Sequence, residues 1–152
     1  MLRFSLIVLV AFVAMEFFSY LVHRFVYHKL LWIFHKSHHT PRTGPFEWND
    51  IFPLVFASSS IYLMSYAVAD PGRMDLLALA IGIALYGMVY FVIHDMYVHR
   101  RVKNLTFRVP YLQRVKKAHM VHHRYGEEPY GLLLFPLPRK LRSEMAQEDE
   151  AR

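Results

Sequence analysis

Cysteine is absent from the 152 residues. Its absence excludes disulfides, thiolate metal sites and cysteine-ligated iron–sulfur clusters, so any metal must be held by nitrogen and oxygen ligands. Charge is scarce as well. Asp, Glu, Lys and Arg make up 20% of the chain, against about 25% in an ordinary soluble domain. Histidine is missing from every part of the chain except two short stretches, and no low-complexity repeat is present.

What fills the space is apolar. The hydrophobic share is 55%, where a globular chain has about 45–50%. Phe4 to Val22 carries one charge, Glu16. It is long for a signal-peptide core and lacks a polar cleavage region, so it reads as a membrane helix. Ile51 to Ala69 and Leu76 to Ile93 are uncharged and of similar length. The turn-rich segment from Thr40 to Asp50 and the turn from Asp70 to Asp75 separate the three runs. After His99 the chain becomes basic, Pro110 breaks it, and Tyr111 to Tyr125 reads as an amphipathic helix. Tyr130 to Pro138 is an apolar patch too short to span, suited to the membrane interface.

Three crossings place the amino terminus on one side and return His23–Asp50 and His94 onward to the other. Of the 18 Lys and Arg residues, only Arg3 and Arg73 fall on the first side. The positive-inside rule makes the other face cytoplasmic. The same bias accounts for the net charge of +6, so nucleic-acid binding is not expected. The expected fold is an all-α integral membrane protein with three transmembrane helices plus cytoplasmic amphipathic helices. Residues 1–142 form one membrane-embedded domain and 143–152 a polar tail.

All 10 histidines lie on that cytoplasmic face, in two copies of one pattern. His23 and His28 are followed by His35, His38 and His39. His94 and His99 are followed by His119, His122 and His123. Each copy is H-x4-H, then H-x2-H-H. On an α-helix, at about 100° per residue, the three histidines of H-x2-H-H share one face. Those of H-x4-H diverge by about 140°. Either the helix is distorted there or the two histidines serve different metals. If the first helix continued regularly, His28, His35 and His39 would line up along it. Ten imidazoles exceed the needs of one ion, and two ions with four or five each is the natural count. No general base sits inside the H-x2-H-H boxes, which hold Lys36-Ser37 and Met120-Val121, so hydrolysis is disfavoured. An all-imidazole pair beside a bilayer suits non-haem iron that activates O₂. Glu16, seven residues before His23, reads as a partner that orients a ligand of the site or as a polar anchor.

These boxes lie among other matching stretches: Met15-Glu16, Phe46-Glu47-Trp48-Asn49-Asp50, Tyr86-Gly87, Tyr90-Phe91, His94-Asp95, Tyr111-Leu112 with Arg114, and Tyr130-Gly131-Leu132. Together they resemble the bacterial β-carotene hydroxylases within the membrane fatty-acid hydroxylase superfamily, over residues 15 to 138. The resemblance implies that all ten histidines, His23, His28, His35, His38, His39, His94, His99, His119, His122 and His123, ligate two iron ions in catalysis. Zinc is expected as a replacement after recombinant expression. Asp95 is the best candidate to orient a neighbouring imidazole. The implied reaction is hydroxylation of β-carotene at C3 of the β-ionone ring, giving β-cryptoxanthin and zeaxanthin, with O₂ as co-substrate. A ferredoxin-type donor and its reductase supply the electrons, and the carotenoid arrives from the bilayer among membrane lipids. The implied location is the inner, cytoplasmic membrane of the cell. Two departures stand out. Gly126-Glu127-Glu128-Pro129 replaces a Gly- and Ser-containing segment, and three spans are counted where superfamily relatives often have four.

Ligands alone do not separate this reaction from a lipid or sterol hydroxylase, a desaturase or a carotenoid ketolase. A non-enzymatic membrane metal-binding protein is the alternative of another class. The aromatic residues Phe17, Phe18, Tyr20, Tyr62, Tyr66, Tyr86, Tyr90 and Phe91 are candidates for a groove that admits an apolar substrate.

Overall fold

Helix α1 (Leu2–Leu21) is 20 residues long, so at 1.5 Å per residue it matches a hydrocarbon core of about 30 Å. The computed structural model describes residues 1–103 and 105–134. The polar tail and the end of the apolar patch lie outside the described residues. Helix α1 continues into a π-helical segment, Val22–Leu30, and after a break at Leu31 into the short α2 (Trp32–His35). Helices α3 (Ile51–Val68) and α4 (Met74–Tyr90) follow, and α4 runs into a second π segment, Phe91–Val98. Helix α5 (Pro110–Tyr125) completes the described elements. Those elements are all helical, and 3 of the helices are long and apolar enough to cross a membrane: Leu2–Leu30, Trp48–Val68 and Pro71–Val98.

Helices α1 and α4 run parallel. Arg3 pairs with Asp75 at their first turns, and Phe12 packs edge-on against Tyr86 further along. Between these points the helices approach closely because the contact residues are small. Ala11 is buried, as is Ala78, one turn before Gly82 on the same face. A Cβ on Gly82 would lie 2.5 Å from the Val8 carbonyl oxygen and 2.6 Å from the Ala11 Cβ. Small residues at such a crossing are how helices associate in lipid, where no hydrophobic force drives them together. Helix α3 packs on α4 and returns the chain in the opposite direction. Leu6, Leu9, Leu54, Val55, Ile61 and Met88 remain exposed on the outside, as a lipid-facing surface requires.

Both π segments therefore leave the bundle at the same end. Their i→i+5 bonding is direct at the last turns: the Leu31 N–H donates to the Val26 carbonyl at 2.8 Å, and the His99 N–H to the His94 carbonyl at 2.9 Å. Helix α5 lies beside the second π segment. Pro110 sits in its first turn, where a missing N–H costs nothing. Gly126 ends it at φ 71°, a left-handed turn that favours glycine, with its N–H on the His122 carbonyl.

The described part of the patch from Tyr130 is tied to the first span. Leu132 is buried, and the N–H groups of Leu132, Leu133 and Leu134 donate to one oxygen of Glu16 at 2.9, 2.6 and 3.0 Å. The Tyr86 hydroxyl donates to the other oxygen at 2.8 Å. A carboxylate buried inside a span must be satisfied, and these four donors satisfy it.

Candidate metal centre

The π segments answer the difficulty posed by H-x4-H. Bonding from i to i+5 winds the chain more slowly than an α-helix, and residues five apart swing towards one face. His23 and His28 accordingly bring their ring centroids to 4.9 Å, and His94 and His99 to 4.6 Å. Distortion, and not division of labour, resolves these pairs.

Division of labour falls instead on the H-x2-H-H boxes, against the expectation of one ligand face per box. His35 and His39 turn to one cluster and His38 to the other; His119 and His123 turn to the second cluster and His122 to the first. The first box cannot present a single helical face, because α2 ends at His35 and the following residues are turns. In α5 the helix is regular, and the 100° step between His122 and His123 suffices to divide them between two neighbouring centres.

The result is two sets of imidazoles. His23, His28, His35, His39 and His122 have ligand atoms within 4.8 Å of one another, as do His38, His99, His119 and His123. His94 joins the second set through its Nε2, 3.2 Å from the Nε2 of His38. Each copy of the pattern supplies four histidines to its own cluster and lends one, His38 or His122, to the other. The clusters share a wall in which the His39 and His123 rings stack at 4.3 Å.

Nε2 is the atom that points inward throughout. The Nε2–Nε2 separations are 3.1 Å for His23–His35 and His28–His122, 3.2 Å for His35–His39, 3.0 Å for His99–His119 and 2.8 Å for His119–His123. Several Nδ1 atoms point outward to oxygen. His23 bonds the Tyr130 carbonyl at 2.7 Å, His35 the Asn49 side-chain oxygen at 2.7 Å, and His122 the Glu127 carbonyl. His38 meets Glu47 at 3.2 Å and His94 meets Asp95 at 3.2 Å. An oxygen acceptor fixes the proton on Nδ1 and leaves the Nε2 lone pair free for a cation. Converging lone pairs at these distances repel unless a cation lies between them, so this donor set fits metal ions.

Electrostatics favour the neutral ring outside the spans. Burial, aided by neighbouring imidazoles, pushes His35 and His122 down to about 3 and His123 to about 2. Burial likewise holds His38, His99 and His119 below the ordinary imidazole range. All are uncharged at neutral pH, as ligands must be.

Glu16 touches the backbone of residues 132–134 and no imidazole among the described residues, which makes it a polar anchor. It holds the strap whose Tyr130 carbonyl receives His23. Asp95 is buried against His94. Among the groove candidates, Tyr90 stacks on His94 at 4.6 Å, whereas Tyr66 lies under the Arg73 guanidinium at the far end of the bundle, away from the clusters. Sequence reasoning missed Glu47 and Asn49 as imidazole partners, although both lie in the Glu-Trp-Asn-Asp stretch. A reciprocal bond pair between Glu47 and Asp50 opens the turn that positions them. It also missed Arg101, and the carbonyls of Glu127 and Tyr130, which have no side-chain signature.

The fatty acid hydroxylase family matches residues 8–139. The chain is 39% identical over 148 residues to the β-carotene hydroxylase of Pseudescherichia vulneris, covering 94% of this chain and 83% of that protein. It is 42% identical over 129 residues to chloroplastic β-carotene 3-hydroxylase 1 of Arabidopsis thaliana and to the chloroplastic β-carotene 3-hydroxylase of Gentiana lutea, covering 82% of this chain in each case. It spans 42% and 40% of the length of these two plant relatives. No solved structure matches the chain. The chain belongs to the fatty acid hydroxylase family, with the β-carotene hydroxylases among its relatives.

Proposed function

We propose that this membrane protein is a β-carotene 3-hydroxylase, converting β-carotene to β-cryptoxanthin and zeaxanthin. The observation that carries the reading is the pair of five-imidazole clusters where two parallel spans leave the bundle, in a chain related to β-carotene hydroxylases. His23, His28, His35, His39 and His122 would hold one iron and His38, His94, His99, His119 and His123 the other. Such a pair, when bound, supplies O₂ activation and removal of hydrogen from the ring carbon. One oxygen atom enters the C–H bond and the other leaves as water, which requires two electrons and two protons from outside. The chain has no cysteine to ligate a cluster of its own, so a ferredoxin-type donor and its reductase fill that role.

The protein's own part is positional. Nδ1 bonds keep the Nε2 atoms unprotonated and aimed inward. Glu16 and the strap from Tyr130 to Leu134 brace His23 from the membrane side. Tyr90, stacked on His94, is the residue proposed to meet an apolar ring arriving from the bilayer. A carotene has no polar group to bind, so selection rests on apolar packing and on the depth at which C3 is held. The positive-inside bias supports a cytoplasmic histidine face, within reach of a soluble donor.

The test is expression in bacteria that accumulate β-carotene, with pigment analysis. β-Cryptoxanthin and zeaxanthin are expected. His38→Ala and His122→Ala are each expected to abolish hydroxylation while the protein still inserts. Unchanged β-carotene, with metal bound and a donor co-expressed, contradicts the reading.

A further inference from the structure

The acceptors behind the imidazoles differ between the two clusters. In the first, His23, His35 and His122 bond the Tyr130 carbonyl, the Asn49 amide oxygen and the Glu127 carbonyl. All three are neutral. In the second, His38 and His94 face the carboxylates of Glu47 and Asp95. These carboxylates are gathered, with Asp50, around one guanidinium. Arg101 places Nε 3.2 Å from Asp95, Nη1 3.1 Å from Asp50 and Nη2 3.9 Å from Glu47. The chain reaches this position by a left-handed turn at Arg100, φ 52°, after which the Arg101 N–H donates to the Asp95 carbonyl at 3.0 Å.

The acids near the first cluster are engaged elsewhere. Glu128 pairs with Arg24 at 2.9 Å and accepts from Tyr20. Glu16 accepts from the strap. Neither accepts from an imidazole among the described residues. Two carboxylates thus meet imidazoles of the second cluster, held with Asp50 by one guanidinium, while the acceptors that meet imidazoles of the first are uncharged oxygens.

A carboxylate that accepts an imidazole N–H makes that imidazole a stronger base towards a metal, and a carbonyl does so less. Negative charge beside the site also favours a dication. We propose that the two metal positions are unequal. The cluster of His38, His94, His99, His119 and His123 is the tighter site, and Arg101 is the positioning residue that keeps both carboxylates on their imidazoles. The inference rests on the reading that the clusters hold two metals.

The full chain, purified in detergent and loaded with zinc as a redox-silent probe, is challenged with increasing EDTA, and the zinc retained per chain is measured. Two release steps are expected, separated by about 10–100-fold in EDTA, the usual effect of such partners on metal affinity. Glu47→Gln, Asp95→Asn and Arg101→Gln move the late step towards the early one and leave the early step in place, which a general loosening of the fold would not do. Asn49→Asp puts a carboxylate behind His35 and moves the early step later, a gain that a misfolded variant cannot produce. Release of both ions together in the parent, equal shifts of both steps in the variants, or an unmoved early step in Asn49→Asp overturns the inequality while the metal pair stands. A parent that retains no zinc overturns the metal reading and the inference with it.

Discussion

An imidazole is useful to a metal only when uncharged, and His35, His122 and His123 achieve this by burial. An unfolded chain protonates these rings near 6.5, the folded chain only at about 3, 3 and 2. Between those values the unfolded state binds more protons. The stability contributed by these groups is therefore complete above pH 6.5 and falls as pH drops towards 3. Thermal unfolding in detergent, measured from pH 7.5 down to about pH 4, should show a melting temperature that declines steadily below about pH 6.5. A melting temperature flat across that window would mean that the rings are solvated in the folded state. Residue by residue, much of this was legible. The ten histidines declare themselves by clustering, and Glu16 by being a charge inside a span. Their partners do not. The donors to Glu16 and the acceptors for His23 and His122 are backbone groups, and every residue carries those.

At the scale of the element, the decisive features are two π segments and one close helix crossing. Spacing alone shows that H-x4-H cannot share an α-helical face, so it demands a distortion or a division of labour. It does not say which, because the choice depends on where the partner helices stand. The same limit explains the error over H-x2-H-H. A helical wheel shows three histidines on one side of a rod, but two neighbouring imidazole clusters divide that side, and His38 and His122 cross over. The crossing of α1 and α4 sets the relative height of His23 and His94, and Gly82 permits it. Gly82→Val would place carbon within 2.6 Å of Ala11 Cβ. Overpacking of this kind costs about 1–3 kcal/mol. The variant should melt at lower temperature and retain less metal per chain, whereas Gly87→Ala, where an added Cβ meets nothing, should match the parent in both.

At the scale of the whole molecule, three crossings return both histidine groups to one membrane face, and the apolar runs made that legible before any coordinates. The spans found, Leu2–Leu30, Trp48–Val68 and Pro71–Val98, contain those runs almost entire, and the first and third extend into the histidine segments. Sidedness can be tested directly because the chain has no cysteine. A single cysteine at Ala69 should react in intact bacterial cells with a membrane-impermeant maleimide that crosses the outer membrane. One at Thr43 should react only after the inner membrane is opened. The reverse pattern would put the clusters outside the cytoplasm, out of reach of the proposed soluble donor.

Ten imidazoles are proposed to make two metal sites in one chain. The most direct test is the iron content of the full-length protein purified anaerobically from iron-replete cells, with X-ray absorption reporting the ligands. Two irons per chain are expected, with imidazole nitrogen dominating the ligands. One iron per chain, or none in a folded protein, would contradict that proposal.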